Sequence, residues 1–165
     1  MRATTRNEQP LLMTGRRARA YNVTMSKKSS QGLVDELQGL AVFARCSTRE
    51  LEALTRIGTV INVEAGYTFM RQGRRGLEFF VVMDGSARCL VDDRVVATYE
   101  TGEFFGEMAL IDNAPRSATV EAETAMTVLV VDSREFADML EWAPSSVQPL
   151  LAALAQRLRT AQART

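Results

Sequence analysis

The spacing of apolar positions changes twice along this chain, and the changes divide it into three structured parts. From Gln31 the spacing is helical, with Leu33, Leu37, Leu40 and Phe43 near one face. Ser47-Thr48-Arg49-Glu50 has the form of a capping box, in which Ser47 caps the helix and Glu50 reaches back. Leu51, Leu54 and Ile57 then make the buried face of a short helix, and Gly58 marks its stop.

Between 59 and 132 the pattern becomes short apolar runs separated by turns. Val60-Ile61-Asn62-Val63 is followed by the turn Glu64-Ala65-Gly66 and a strand from Tyr67 to Arg71. Phe79 to Met83 is a strong strand closed by Asp84-Gly85, and the strands 87–91 and 95–99 flank Asp92-Asp93 as a hairpin. The strands 117–123 and 126–131 complete the set, and such even spacing predicts an all-β sandwich or barrel. Alternation puts Ala87, Cys89 and Val91 on one face with Arg88 on the other. Val95, Ala97 and Tyr99 likewise share a face.

From Asp132 the helical period returns. Phe136, Met139 and Leu140 point one way, and the helix ends near Ala143-Pro144. In the last helix Pro149 is tolerable only in the first turn. Val147, Leu151, Leu154, Leu158 and Ala161 step by four and three, which suits a two-stranded seam as well as a single helix lying on the β core. The first spacing implies a homodimer through 147–161, the second a lid.

Residues 1–30 show no sustained period and carry seven Lys/Arg against one Asp/Glu. They read as a disordered basic tail ahead of a domain spanning 31–165, with its β core at 59–132 and C-terminal helices at 133–163. The tail could be an upstream extension with Met25 as the true start, a basic arm for nucleic acid or acidic lipid, or a targeting peptide. The remaining residues are net acidic, so DNA binding is not expected through the folded domain.

The chain has 165 residues and no histidine, which removes His-based triads and His-ligated metals. Cys46 and Cys89 are far apart and form no C-x-x-C pair, so no metal site is expected and reduced thiols fit best. No apolar run approaches the ~20 residues of a membrane span, and a cytoplasmic location is expected. Gly73-Arg74-Arg75-Gly76 lacks the Lys-Ser/Thr and the helix that complete a triphosphate loop, and reads as a solvated turn.

The chemistry concentrates between Gly102 and Val120. Gly106 lets a ligand approach its backbone and opens a short helix whose first N–H groups suit an anion. Pro115 fixes the chain before Arg116, whose planar fork of donors fits a phosphate. Ser117 adds a hydroxyl, and Ala118 is small enough to expose its N–H. Glu107 would repel a phosphate unless it bound something else on the same ligand, and a sugar hydroxyl is such a donor. The combination points to a ribose phosphate with a single negative charge and a free hydroxyl.

This stretch, Phe105-Gly106-Glu107-Met108-Ala109-Leu110 followed by Pro115-Arg116-Ser117-Ala118-Thr119, resembles the phosphate-binding cassette of cyclic-nucleotide-binding domains. Those domains occur in regulatory subunits of cyclic-AMP-dependent kinase, in cyclic-nucleotide-gated channels and in catabolite-activator-type regulators. The likeness is greatest to bacterial channel-type domains. Gly66, Gly76 and Gly85 match the family's turns, so the resemblance covers about 40 to 140; Tyr67 departs from the small or polar residue usual there.

The resemblance implies a mainly β fold with flanking helices, a jelly-roll-like β-roll. It implies a ligand site of Phe105, Gly106, Glu107, Met108, Arg116, Ser117 and Ala118, with Glu107 on the ribose 2′-hydroxyl and Arg116 on the cyclic phosphate. Cys89, Ala97, Leu154 and Arg157 are candidate base contacts. The ligand is cyclic AMP or cyclic GMP, with cyclic AMP favoured although Ser117 could meet a guanine amino group. The expected protein is a sensor without catalysis whose last helices move on binding and act on a protein partner the sequence does not name. The alternative is a catabolite-activator-type transcription regulator lacking its DNA-binding domain, since no helix-turn-helix is recognisable.

Overall fold

The computed structural model describes residues 23–163. Its strands form two antiparallel sheets. One runs β1 (Thr24–Met25), β2 (Thr59–Val63), β9 (Met126–Asp132), β4 (Glu78–Asp84), β7 (Phe104–Phe105). The other runs β3 (Thr68–Met70), β8 (Thr119–Ala122), β5 (Ala87–Val91), β6 (Arg94–Tyr99). Helices α1 (Ser30–Gln38), α2 (Thr48–Ile57), α3 (Glu107–Asp112), α4 (Ser133–Trp142) and α5 (Pro144–Ala163) flank the roll, with a 3-10 turn at Ala41–Phe43.

The two faces of β4 explain the layering. Phe79, Val81 and Met83 pack with Leu37, Phe43, Leu51, Leu129, Phe136 and Leu150 beneath the helices. Phe80 and Val82 pack with Ile61, Phe69, Phe105, Val120 and Val128 inside the roll. β4 is therefore covered on both sides and reads as an unbroken apolar run. The same alternation sends Phe104 to the helices and Phe105 into the roll, so two consecutive rings link the layers just before the cassette.

The predicted strands and later helices are present with boundaries shifted by a residue or two, but the first helical run breaks: α1 ends at Gln38, Leu40 is extended, and Phe43 belongs to the separate 3-10 turn. Asp92 and Asp93 both take positive φ, 49° and 62°, as a two-residue hairpin turn of this hand requires. That turn pairs Val91 with Arg94 and Leu90 with Val95, and a bulge beyond it shifts the register by one residue, so that Cys89 pairs with Ala97 and Ala87 with Tyr99. Ser47 and Glu50 form the expected capping box, and Asp132 with Glu135 forms another at α4. Pro149 falls beyond the first turn of α5, because that helix already begins at Pro144.

The basic tail differs from its reading at one end. Its first residues lie outside the described ones, but Val23 is buried in the roll and Thr24–Met25 pairs with Asn62 and Ile61. Ser29 caps α1 through a bond from Gly32 N–H. Residues 23–30 thus belong to the fold, and a chain starting at Met25 would lack Val23 in its core. The cysteines are both buried and free. No described helix is long and apolar enough to cross a membrane.

Candidate functional site

β7 delivers the chain into Gly106, which has φ +89° and no side chain to cap α3. That left-handed backbone turns the chain so that Glu107 points inward. Its carboxylate is 2% exposed, among the most buried side chains of the protein. The extended connection after α3 brings back Arg116, which is 3% exposed. Arg116 Nη1 donates to the Gly106 carbonyl at 2.6 Å, and Nη2 donates to the Glu78 carbonyl at 2.7 Å. The Glu78 carboxylate stands 3.4 Å from Nη2. The backbone N–H of Arg116 donates to Arg74, and Gly73 N–H donates to the Arg116 carbonyl. The turn 73–76 is exposed at Gly73, Arg74 and Arg75, as expected of a solvated turn, and its backbone is also the bed on which this arginine lies.

Gly76 fits that bed closely. A Cβ there would stand 1.9 Å from Arg116 Nε. Gly76 and Glu78 are positioning residues that sequence reasoning did not pick out as such. The Gly-x-x-Gly spacing was the available signal.

Two buried polar atoms in this cluster have no hydrogen-bond partner: Glu107 Oε2 and Arg116 Nε. Burial pushes the Glu107 carboxyl above its ordinary value, against the opposing pull of Arg157 and Arg116. Burial also draws the Arg116 guanidinium below its ordinary value, opposed by Glu78 and Glu107. A carboxylate and a guanidinium buried with unused bonding capacity are costly to leave so, and such sites favour a polar ligand.

The remaining site residues fall around these two. Phe105 stacks on Phe80 at 4.9 Å and on Tyr99 at 5.3 Å. Cys89 is buried and accepts the Tyr99 hydroxyl at 3.6 Å, and burial raises the pKa of both groups. Ala118 is buried in the roll, whereas Ser117, Met108 and Ala97 are exposed. Leu154 is half-buried, and Leu151 and Leu158 are 60% exposed, so this stripe does not close over the roll here. Arg157 does reach the site. Its Nη1 bonds Glu107 Oε1 at 2.8 Å, and its guanidinium lies over the rings of Phe104 and Tyr99 at 4.6 and 4.9 Å. Tyr99 is a site residue that the sequence placed on the right face without assigning it a role. Among the described residues no cluster of His, Cys, Asp or Glu could hold a metal.

The cyclic nucleotide-binding domain family matches residues 60–141, from β2 into α4. The chain carries a domain of this family. The match takes in the stretch from Gly102 to Val120 and every strand but β1. A cAMP-dependent protein kinase type II regulatory subunit of Drosophila melanogaster is 30% identical over 108 residues, 66% of this chain and 29% of that one. Among solved structures, the regulatory domain of Toxoplasma gondii PKA with cAMP superposes with a TM-score of 0.66 at 25% identity, covering 78% of this chain and 50% of that one. Thermus thermophilus catabolite activator protein gives a TM-score of 0.66 at 26% identity, covering 74% and 60%. The chain spans between 23% and 29% of the length of the first curated relatives it matches. Among the described residues of this cyclic nucleotide-binding domain, no helix-turn-helix is recognisable.

The buried charge of Glu107 has a measurable consequence for stability. Its folded-state pKa is raised above 4.5, so its contribution is intact below that pH and is lost as pH rises through the folded value. Glu107→Gln is therefore expected to raise the melting temperature of the ligand-free protein at neutral pH by about 2–4 °C for each kcal/mol relieved. The gap between the two proteins should close as pH falls below the carboxylate range. Melting curves across pH check this, and a Gln variant that melts lower at neutral pH would contradict it.

Proposed function

We propose that this domain is a sensor for a cyclic purine nucleotide, with cyclic AMP the favoured ligand, and that it performs no catalysis. The observation that carries the reading is the pair of buried, incompletely bonded groups joined through Gly106: Glu107 with a free oxygen and Arg116 with a free Nε. A ribose 2′-hydroxyl donates to Glu107, and the cyclic phosphate is neutralised by Arg116. Backbone N–H groups around Gly106, Ser117 and Ala118 complete the phosphate shell. The base lies inside the roll near Cys89, Ala97 and Tyr99. Cyclic AMP is preferred because the relatives' own descriptions name it more directly than cyclic GMP, although cyclic-GMP-dependent kinases of Eimeria and Plasmodium are also related.

Arg157 supports a coupling between site and output. It ties α5 to Glu107, so occupancy of the cassette bears on the C-terminal helices, and their surfaces act on a protein partner in the cytoplasm. A homodimer through 147–161 is one form that output could take, since Leu151 and Leu158 stand exposed one heptad apart. The catabolite-activator-type alternative needs a DNA-reading unit beyond α5.

Melting curves with saturating nucleotide test the ligand. A ligand at a hundred times its dissociation constant stabilises by about 2.7 kcal/mol, which for this size is a rise of roughly 5 °C or more. Cyclic AMP should give that rise and linear 5′-AMP should not, because its terminal phosphate carries a second charge and leaves the ring. Equal shifts with both would contradict the cassette geometry.

A further inference from the structure

The strand that brings Ala97 and Tyr99 to the site has little packing to hold it. β6 stands at the edge of its sheet and pairs with β5 alone. Its residues are exposed apart from the half-buried Tyr99, and the bulge between Cys89 and Leu90 interrupts its ladder. An edge strand with few buried contacts and an interrupted ladder opens easily.

A side chain from outside the hairpin holds its tip. Gln72 Nε2 donates to Asp92 Oδ1 at 3.0 Å, and the Asp92 main-chain N–H donates back to Gln72 Oε1 at 2.8 Å. One amide makes two bonds to one residue, which fixes orientation as well as distance. The backbone of the same stretch grips the cassette. Gln72 N–H donates to Thr119 Oγ1 at 3.0 Å, Gly73 N–H donates to the Arg116 carbonyl at 2.8 Å, and Arg116 N–H donates to the Arg74 carbonyl at 2.8 Å. Residues 72–74 are therefore bonded on one side to the loop that carries Arg116. Through the Gln72 side chain they are bonded on the other to the hairpin that carries Cys89, Ala97 and Tyr99.

The geometry points to Gln72 as a positioning residue, whose side chain sets β6, with Ala97 and Tyr99, in a fixed place relative to the cassette. This rests on the reading that Glu107 and Arg116 bind a cyclic nucleotide whose base lies against that strand. The apparent dissociation constant is the intrinsic one divided by the fraction of molecules in the binding-competent state. If loss of the tie leaves β6 in place in about one molecule of five, binding weakens about five-fold.

The tie can be broken and remade without touching the cassette. Gln72→Glu puts a second carboxylate against Asp92 and turns attraction into repulsion. Asp92→Asn keeps an acceptor oxygen for Gln72, and asparagine tolerates the positive φ of 49° at this position. The two changes together reverse the side-chain bond: the new amide donates and the new carboxylate accepts, from it and from the main-chain N–H of position 92.

The test titrates cyclic AMP and its 2′-deoxy analogue into the full chain as wild type, Gln72→Glu, Asp92→Asn and the double variant, each well below its melting temperature. The expected result is cyclic AMP binding about five-fold weaker in Gln72→Glu, and within about two-fold of wild type in the other two variants. The affinity lost on removing the 2′-hydroxyl reports Glu107, and it should be the same in all four proteins, because the tie places the base side and leaves the cassette intact. Wild-type affinity in Gln72→Glu overturns the proposal. So does a double variant that binds no better than Gln72→Glu, and so does a 2′-deoxy penalty that shrinks in Gln72→Glu, since the cassette itself has then come apart. Wild-type binding in the same titrations leaves the cassette reading standing whichever way the variants fall. If the wild type does not bind, that reading fails and this proposal with it.

Discussion

Arg116→Ala is expected to reduce cyclic AMP affinity by roughly thirty-fold to several thousand-fold. Removing the hydrogen-bonded partner of a buried charge typically costs about 2–5 kcal/mol, and that range converts to those factors. The structure adds a second expectation. Arg116 is also the donor for the Gly106 and Glu78 carbonyls, so the alanine variant leaves both short of a partner. An unsatisfied buried acceptor costs about 1–3 kcal/mol, and the variant should melt several degrees lower as well as bind poorly. Its affinity must therefore be measured well below its own melting temperature. Arg116→Lys should restore part of the charge but not the fork, because one ammonium cannot serve two carbonyls and a phosphate in fixed geometry. An alanine variant that binds within a few-fold of wild type would place the phosphate elsewhere.

Gly76→Ala is expected to do nearly as much damage without touching the cassette. The new Cβ would stand 1.9 Å from Nε, 2.2 Å from Nη2 and 2.3 Å from Cζ of Arg116. Such contacts are tolerable only if the neighbour can move, and this guanidinium is bonded on both Nη atoms inside the protein. The arginine must leave its seat, and phosphate neutralisation goes with it. We expect a loss of affinity of ten-fold or more, on the order of 1.4 kcal/mol or above. Gly39→Ala is the control. Its backbone is right-handed at φ −73° and a Cβ there meets the Glu36 carbonyl at 3.4 Å and the Asp35 carbonyl at 4.0 Å, both ordinary contacts, so binding should not change. A Gly76→Ala protein with wild-type affinity would show that the observed seat of Arg116 is not the binding one.

These two positions also show what the sequence could and could not reveal. Arg116 was legible because the cassette is contiguous: Gly106, Glu107, Pro115 and Arg116 sit in one stretch whose residue types have local physical reasons. Gly76 was legible as a turn but not as a seat, because its partner is forty residues away and only the folded roll brings them together. The short apolar runs located β2 to β6, β8 and β9, and each of these but β6, whose residues are exposed apart from the half-buried Tyr99, buries at least one face. β1 and β7 are two residues each and too short to show any period, and Val23 lies in a polar, basic stretch that hides its burial. The stripe on α5 showed its spacing but not its neighbour. Arg157 was expected near a base; its reach fifty residues back to Glu107 is a contact no local pattern encodes.

The account turns on whether one cyclic nucleotide binds between Glu107 and Arg116. Calorimetric titration of the full chain with cyclic AMP, cyclic GMP and 5′-AMP tests this most directly. The prediction is one cyclic AMP per chain with micromolar or tighter affinity, weaker binding of cyclic GMP, and no saturable heat with 5′-AMP. Titrations of both cyclic nucleotides that show no saturable binding, under conditions where the protein is folded, would contradict it.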